Sequence, residues 1–438
     1  MAPRRVCDVA AVLANVRRSS DRESVSMFYV ARLNSTFQNR DFRLLWFATL
    51  GSSAGMWIEH VAVGWLVLEM TNSPFALGVV SAARMAPFLV LGMPAGALAD
   101  RLDRRNVLIA VTGSGVAYGA ALAVLVVTGL VQFWHVVALT LLFGCARAFE
   151  SPSRQALVYD LVGADEALRG IALNAMAQRV TGILGGILGG VLIPIVGVEG
   201  SLSLMALSYT GGVLLLTGMQ SVAQEPGGAV VRLSFWNSIA AGLGLIRGHQ
   251  VVLVLVLLSM VAEIFAFSSA TLTPVFARDV LAAGAIGLGL LTAARSVGAI
   301  AATLVLAALT YRQDKVALLL WAFALFGCLL VFFATSPSFP VSLILMVGIG
   351  CVAAAFDILQ QTILQLSVSD HERGRVMGYW AASLGFGPIG HLELGALAGL
   401  VGAPVAQAAH GVVVVAVFLV TLLLVDRRRL RAELEVRV

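Results

Sequence analysis

Four acidic residues stand inside stretches that are otherwise apolar: Glu59, Glu150, Glu263 and Asp357. Three arginines, Arg84, Arg179 and Arg295, do the same. An ionisable side chain in an apolar medium is costly and tends to face a partner, water or a functional cavity. A low dielectric favours the neutral form of a carboxyl, so such an acid can take up and release a proton. The chemistry on offer is therefore proton exchange or direct contact with a solute, most directly at Glu59 and Glu263. The competing reading is a structural ion pair with an arginine. Glu59 is followed by His60, and imidazole changes charge near neutral pH, which makes this the better relay pair. Arg147 precedes Glu150 by three residues, within reach along one helix face, so gate pairing there competes with cavity chemistry, as it does for Asp357. Arg84 and Arg295 could partner the acids or attract an anionic solute. His391 and Glu393 are two residues apart and cannot share a helix face. Trp57, Trp65, Phe149, Phe265, Phe267, Phe356 and Trp380 offer apolar contact to a lipophilic ligand, although aromatics at helical spacing more often pack.

These residues need elements that hold them in a membrane. The chain has 438 residues, 59% of them hydrophobic and only 12% charged. Soluble domains carry about 25% charged residues, so this composition excludes a cytosolic enzyme. It also excludes a nucleic-acid binder, despite a net charge of +5, and a disordered chain. At about 20 apolar residues per span, the hydropathy predicts an all-α protein of twelve transmembrane helices. They fall at roughly 44–70, 75–99, 105–130, 134–158, 168–196, 200–220, 250–276, 284–310, 316–335, 340–366, 375–401 and 403–425.

Charge sets the orientation. One set of alternate connections holds Asp100–Arg105, Arg154–Arg169, Arg232 with Arg247, Arg312–Lys315 and Asp370–Arg375. The other set is nearly uncharged, with Arg278 its one basic residue. Positive residues accumulate in cytoplasmic loops, so both termini are expected in the cytoplasm and the protein in the inner (cytoplasmic) membrane. The expected organisation is a basic tail over 1–43, a six-helix bundle over 44–220, a linker over 221–249, a second six-helix bundle over 250–425 and a tail over 426–438. The linker's SFWNSIAAGLGLIRG stretch could lie on the membrane surface as an amphipathic helix. Met27 offers an alternative start, which would make residues 1–26 dispensable.

The halves repeat. LGVVSAAR at Leu77–Arg84 returns as LGLLTAAR at Leu288–Arg295. Met56–Glu59 corresponds to Met260–Glu263, and Gly144 with Glu150 to Gly350 with Asp357. Parallel repeats of six spans mark one large transporter architecture. No GxxxxGK[ST] phosphate loop is present, so ATP does not drive the protein directly. Cys7, Cys145, Cys328 and Cys351 form no CxxC pair, and the six histidines are dispersed, which argues against a disulfide framework and a metal site.

After the second span the chain reads GALADRLDRR, with Gly96, Asp100, Arg101, Arg104 and Arg105. This resembles the loop signature Gly-x3-Asp-Arg-x-Gly-Arg-Arg of the major facilitator superfamily, with Asp103 in place of the second glycine. GWLVLEMTNSP, ESPSRQALVYDLV, ALNAMAQRV and HERGRVMGYW resemble the branch that holds the enterobactin exporter and macrolide efflux proteins. The resemblance covers about residues 38–425. It implies two pseudo-symmetric six-helix bundles, a cavity lined by the first and fourth helices of each half, and a conformational role for the loop motif. The Gly-Pro-x-x-Gly-Gly pattern of antiporters is incomplete: Gly182, Gly185, Gly186, Gly189 and Gly190 lack the proline, and these glycines fit close helix packing.

The expected function is proton-coupled export of a small amphipathic molecule, such as a drug, a macrolide or a siderophore, by alternating access. The proton-coupling or cavity set is Glu59, Glu263, His60, Arg84 and Arg295. The inner-gate set is Gly96, Asp100, Arg101, Arg104, Arg105, Arg147, Glu150 and Asp357. No enzymatic activity, cofactor, metal or nucleic-acid partner is expected; a proton gradient is expected to supply the drive, the bilayer to surround the protein, and the protein to be a monomer. A proton-symporting importer keeps the fold and reverses direction. A membrane-embedded lipid-modifying enzyme would need polar groups converging at one surface or a metal, which the spread of the acids disfavours.

Overall fold

A computed structural model describes residues 36–99, 102–220, 250–308, 314–368 and 382–424, together with 376 and 380. The described regular structure is helical throughout. The first four spans are Arg40–Thr71, Pro74–Ala99, Arg104–Val127 and Phe133–Arg147 continued by Glu150–Val162. The fifth and sixth share Ala164–Thr217. The seventh runs from Gln250 to Val280 in several pieces, followed by Gly284–Ala308, Lys315–Thr335, Phe339–Leu366, an eleventh span ending in Gly387–Val401, and Ala403–Leu424. This is the twelve-helix membrane architecture that the hydropathy predicts.

The ends of the helices are chemically marked. Asn39 begins the first span, its side chain accepting from the Asp41 and Phe42 amides at 2.9 and 3.1 Å. Asn72 ends that span in the left-handed conformation, φ 51°, a form asparagine tolerates better than most residues. Asp103 and Asp314 cap the third and ninth spans through the Asn106 and Ala317 amides. Each cap satisfies a backbone donor that the helix itself leaves open.

Two spans depart from the expected outline, the fourth and the seventh. The fourth is not one helix over 134–158; it breaks at Ala148–Phe149 and restarts at Glu150. The fifth and sixth divide where expected, at a tight turn on Gly197, where φ is 75°, just after Pro194. The seventh leaves α geometry twice, with π turns at Ala262–Ala266 and Phe276–Val280 and a 3-10 stretch at Phe267–Leu272 between them. Such irregular turns concentrate at functional places in helices.

Apolar faces alone do not drive helices together in lipid, so close packing relies on small residues. Across the two halves, the fifth span meets the eighth and the second meets the eleventh. A methyl group on Gly289 would sit 2.5 Å from the Gly186 carbonyl oxygen, and one on Gly395 would sit 3.1 Å from the Gly78 Cα. Within the first half, Gly185 and Gly189 rest on the first span at Ala54 and Ile58. These cross-half contacts lie toward the end opposite the charged connections. The linker 221–249, the tails, Asp100, Arg101 and most of HERGRVMGYW fall outside the described residues.

Candidate functional site

Between the halves lies a cavity of about 430 Å³. Its wall in the first half carries Met56, Trp57, His60, Arg84, Met85, Phe88 and Arg147. Its wall in the second half carries Glu263, Phe267, Thr271, Thr292, Arg295 and His391. A second chamber of about 470 Å³ shares Met56, Trp57, Glu263, Phe267 and Arg295 with the first and adds Arg179, Asp357 and Trp380. A third, of about 250 Å³, lies on the first half and includes Arg147, Glu150, Arg154 and Gln178. The second and third chambers extend toward the end with the charged connections, away from the Gly186–Gly289 contact.

The first-half acids are paired. Arg84 donates from Nε and Nη2 to Glu59 Oε1 at 3.1 and 2.7 Å. Tyr118 donates to the same oxygen at 3.3 Å and lies 2.9 Å from the Thr140 hydroxyl. Glu59 Oε2 is buried and accepts no hydrogen bond, although His60 Nδ1 stands 3.5 Å away and turns to the Met56 carbonyl at 2.8 Å. Glu150 pairs with Arg147 at 3.4 Å and with Arg154 one helical turn on. Serial spacing of three and four residues predicts both contacts; the Arg154 one was not visible as a candidate because that arginine reads as a loop charge.

The second-half acids differ. Glu263 sits on the first π turn of the seventh span, with 8% of its surface exposed, and has no hydrogen-bond or ion-pair partner among the described residues. Arg295, at the position equivalent to Arg84 in the repeat, likewise has none. Asp357 accepts from Gln361 at 3.0 Å, and Arg179 donates to the Ala299 carbonyl at 3.3 Å. The structure therefore brings Glu59 and Arg84 into contact and leaves the corresponding Glu263 and Arg295 apart.

His391 and Glu393 face opposite ways, as their spacing requires. His391 lines the cavity between Thr271 Oγ1 at 2.6 Å and Met85 Sδ at 3.2 Å. Glu393 turns outward and meets the buried His410 at 2.6 Å. Of the aromatics, Trp57, Phe267 and Trp380 line the chambers. Trp65 and Phe356 are buried in packing, and Phe265 stacks edge-on against His410.

Around the loop motif, Arg104 pairs with Asp160 at 2.5 Å, and Arg105 donates to the Leu216 and Thr217 carbonyls at 2.9 and 2.6 Å. Gly96 lies in the second span, and Asp100 and Arg101 lie outside the described residues. These contacts tie the third span to the fourth and sixth of the same half.

One functional candidate escaped the sequence reading. Arg278, on the second π turn of the seventh span, donates to the Leu68 carbonyl at 2.8 Å and to the Asn72 side chain, both at the end of the first span. The available signal was its position as the one basic residue among the uncharged connections.

Among the described residues no group of His, Cys, Asp and Glu is placed to hold a metal ion. Comparison with known proteins points the same way as the architecture. The chain is 24% identical over 350 residues to the staphyloferrin A transporter of Staphylococcus aureus, covering 80% of this chain and 87% of that protein. It is 27% identical over 374 residues to the multidrug efflux pump Tap of Mycobacterium tuberculosis, covering 81% and 86%. It is 26% identical over 397 residues to the enterobactin exporter EntS of Escherichia coli, covering 89% and 93%. In fold it resembles the nucleoside transporter NupG, with a TM-score of 0.70 at 16% identity over 87% of this chain and 99% of the other. Residues 33–435 match the family profile of transmembrane secretion effectors, and the chain belongs to that family of major facilitator transporters.

Proposed function

We propose that this membrane transporter exports small amphipathic molecules in exchange for protons. The charged connections and both termini would face the cytoplasm of an inner-membrane protein, and 44–220 and 250–425 would be the rocking halves, joined by 221–249. The observation that carries the reading is Glu263: a buried carboxyl without a partner among the described residues, on a π turn, facing two chambers between the halves. A group so placed can bind a proton in one state and meet a solute in another, whereas Glu59 is already engaged by Arg84. The chambers extend toward the cytoplasmic side on this orientation, as in a state that loads from within. Glu59 with His60 and Arg84 would balance charge beside the route. Arg147, Glu150 and Asp357 would line its inner part, and Gly96, Asp100, Arg101, Arg104 and Arg105 would form a conformational latch at the inner surface. Relatives described as a multidrug efflux pump and an enterobactin exporter support the direction.

The test is an accumulation panel of antibiotics, dyes and siderophores in cells stripped of their own efflux pumps. Cells expressing the protein should accumulate less of at least one compound, a protonophore should abolish the difference, and Glu263→Gln should do the same with normal membrane insertion. Efflux that ignores the protonophore would remove proton coupling from the reading. Full activity of Glu263→Gln would remove Glu263.

A further inference from the structure

The two halves repeat in sequence but differ in how their charges are satisfied. In the first half Glu59 is held by Arg84, and Glu150 by Arg147 and Arg154. In the second half Glu263 and Arg295 face the same two chambers, and neither has a hydrogen-bond or ion-pair partner among the described residues. An acid and a base that line one cavity without touching leave two ionisable groups for something else to satisfy. Breaking a buried pair is costly because it strands a charge, so an open pair is a feature that the rest of the protein must support. Glu263 stands on the π turn at Ala262–Ala266, and its carboxyl lies beside Gly387, where a methyl group would come to 3.4 Å of Oε2.

We infer that the solute is amphoteric: it carries an anionic group that meets Arg295 and a cationic group that meets Glu263. Its apolar body lies against Met56, Met85 and Phe88 on the facing wall. Arg84 and Arg147 also line that wall, but their guanidinium groups are already engaged by acids. Recognition of charge thus belongs to the second half, while both halves offer apolar contact. A solute with only one charge leaves the other residue unpaired once the solute displaces cavity water, and a site built to satisfy a polar group rejects a ligand that lacks the matching group. This inference rests on the central cavity being the solute site of the proposed function, and it fixes the charge class of that solute.

The experiment uses the purified full-length protein in lipid nanodiscs, with no gradient, and three probes of nearly equal size. They are Nε-dansyl-lysine, its methyl ester and its Nα-acetyl derivative, followed by dansyl fluorescence. The first carries both charges, the second only the cation and the third only the anion. The zwitterion should bind about tenfold more tightly than either other probe, a difference of about 1.4 kcal/mol. Arg295→Gln should erase its advantage over the ester, and Glu263→Gln its advantage over the acetyl form. Equal binding of the three probes, binding of none, or a zwitterion preference that survives both substitutions overturns the inference. The wild-type ranking stands without any variant, so misfolding of a mutant cannot mask the result. Failure of the proposed function reads differently: the charge preference would persist while protonophore-sensitive efflux was absent.

Discussion

Arg278 donates to the carbonyl of Leu68 at 2.8 Å, tying the end of the seventh span to the end of the first. The same guanidinium reaches the Asn72 side chain and is oriented by Asp279 at 2.6 Å. Leu68 O also takes the Asn72 amide at 3.0 Å, so a cation from one half completes a helix C-terminus in the other. Cations are favoured at that end of a helix. The contact must break if the halves part at this face.

Arg278→Ala should therefore weaken closure at this end while leaving the fold intact. A hydrogen bond to a charged group contributes about 1.5–3 kcal/mol, so losing the Leu68 contact alone should shift the balance of states by roughly tenfold or more. Spin labels placed on Ser73 and Ala283 should report a longer distance in a larger fraction of molecules than in wild type. An unchanged distance distribution would reduce Arg278 to a surface cap.

The two repeat-related acids should respond differently to the same substitution. Glu59→Gln breaks a buried pair and leaves Arg84 uncompensated, a loss of about 3–5 kcal/mol in comparable cases. Glu263→Gln removes a carboxyl that makes no such contact, so stability in detergent should hold or rise. Thermal unfolding of the single variants and of Glu59→Gln with Arg84→Gln checks this. The double variant should recover most of what the first loses. Equal losses at Glu59 and Glu263 would show that the second-half pair is closed in solution.

Much of this was legible from residue types and spacing, for reasons particular to each case. Twelve spans could be read because each must hold about twenty apolar residues, and the repeat aligned Glu59 with Glu263 and Arg84 with Arg295. The spacing of Arg147 and Glu150 fixed their contact, and the two-residue step from His391 to Glu393 fixed their divergence. What spacing could not supply was whether aligned residues touch. Glu59 and Arg84 do, whereas Glu263 stands on a π turn that shifts the register of its helix. No periodicity in an all-apolar helix announces such a turn. Arg278 stood out only by its charge: its contacts to the Leu68 carbonyl and the Asn72 side chain cross between spans about 206 to 210 residues apart, which spacing does not encode. The break at Ala148–Phe149 likewise depends on backbone angles that hydropathy does not encode, whereas the turn at Gly197 falls where the apolar runs part.

Asp103 replaces a glycine in the loop signature, and the structure gives it a local task. Its carboxylate accepts from the Asn106 amide at 3.0 Å and so starts the third span. Arg104 and Arg105 follow at once, paired to Asp160 and to the carbonyls of Leu216 and Thr217. The start of this helix therefore sets where both arginines reach. Replacing an N-cap aspartate by alanine costs about 1 kcal/mol, whereas glycine costs only a few tenths. Asp103→Gly should leave thermal stability and efflux close to wild type. Asp103→Ala should lower stability measurably. Arg105→Ala should lower it as well, because two helix-end carbonyls of the sixth span lose their donor. Equal damage in the alanine and glycine variants at Asp103 would show that the carboxylate matters through charge rather than capping. Asp103→Asn, which can still cap but carries no charge, would then separate with the damaged variants instead of with wild type.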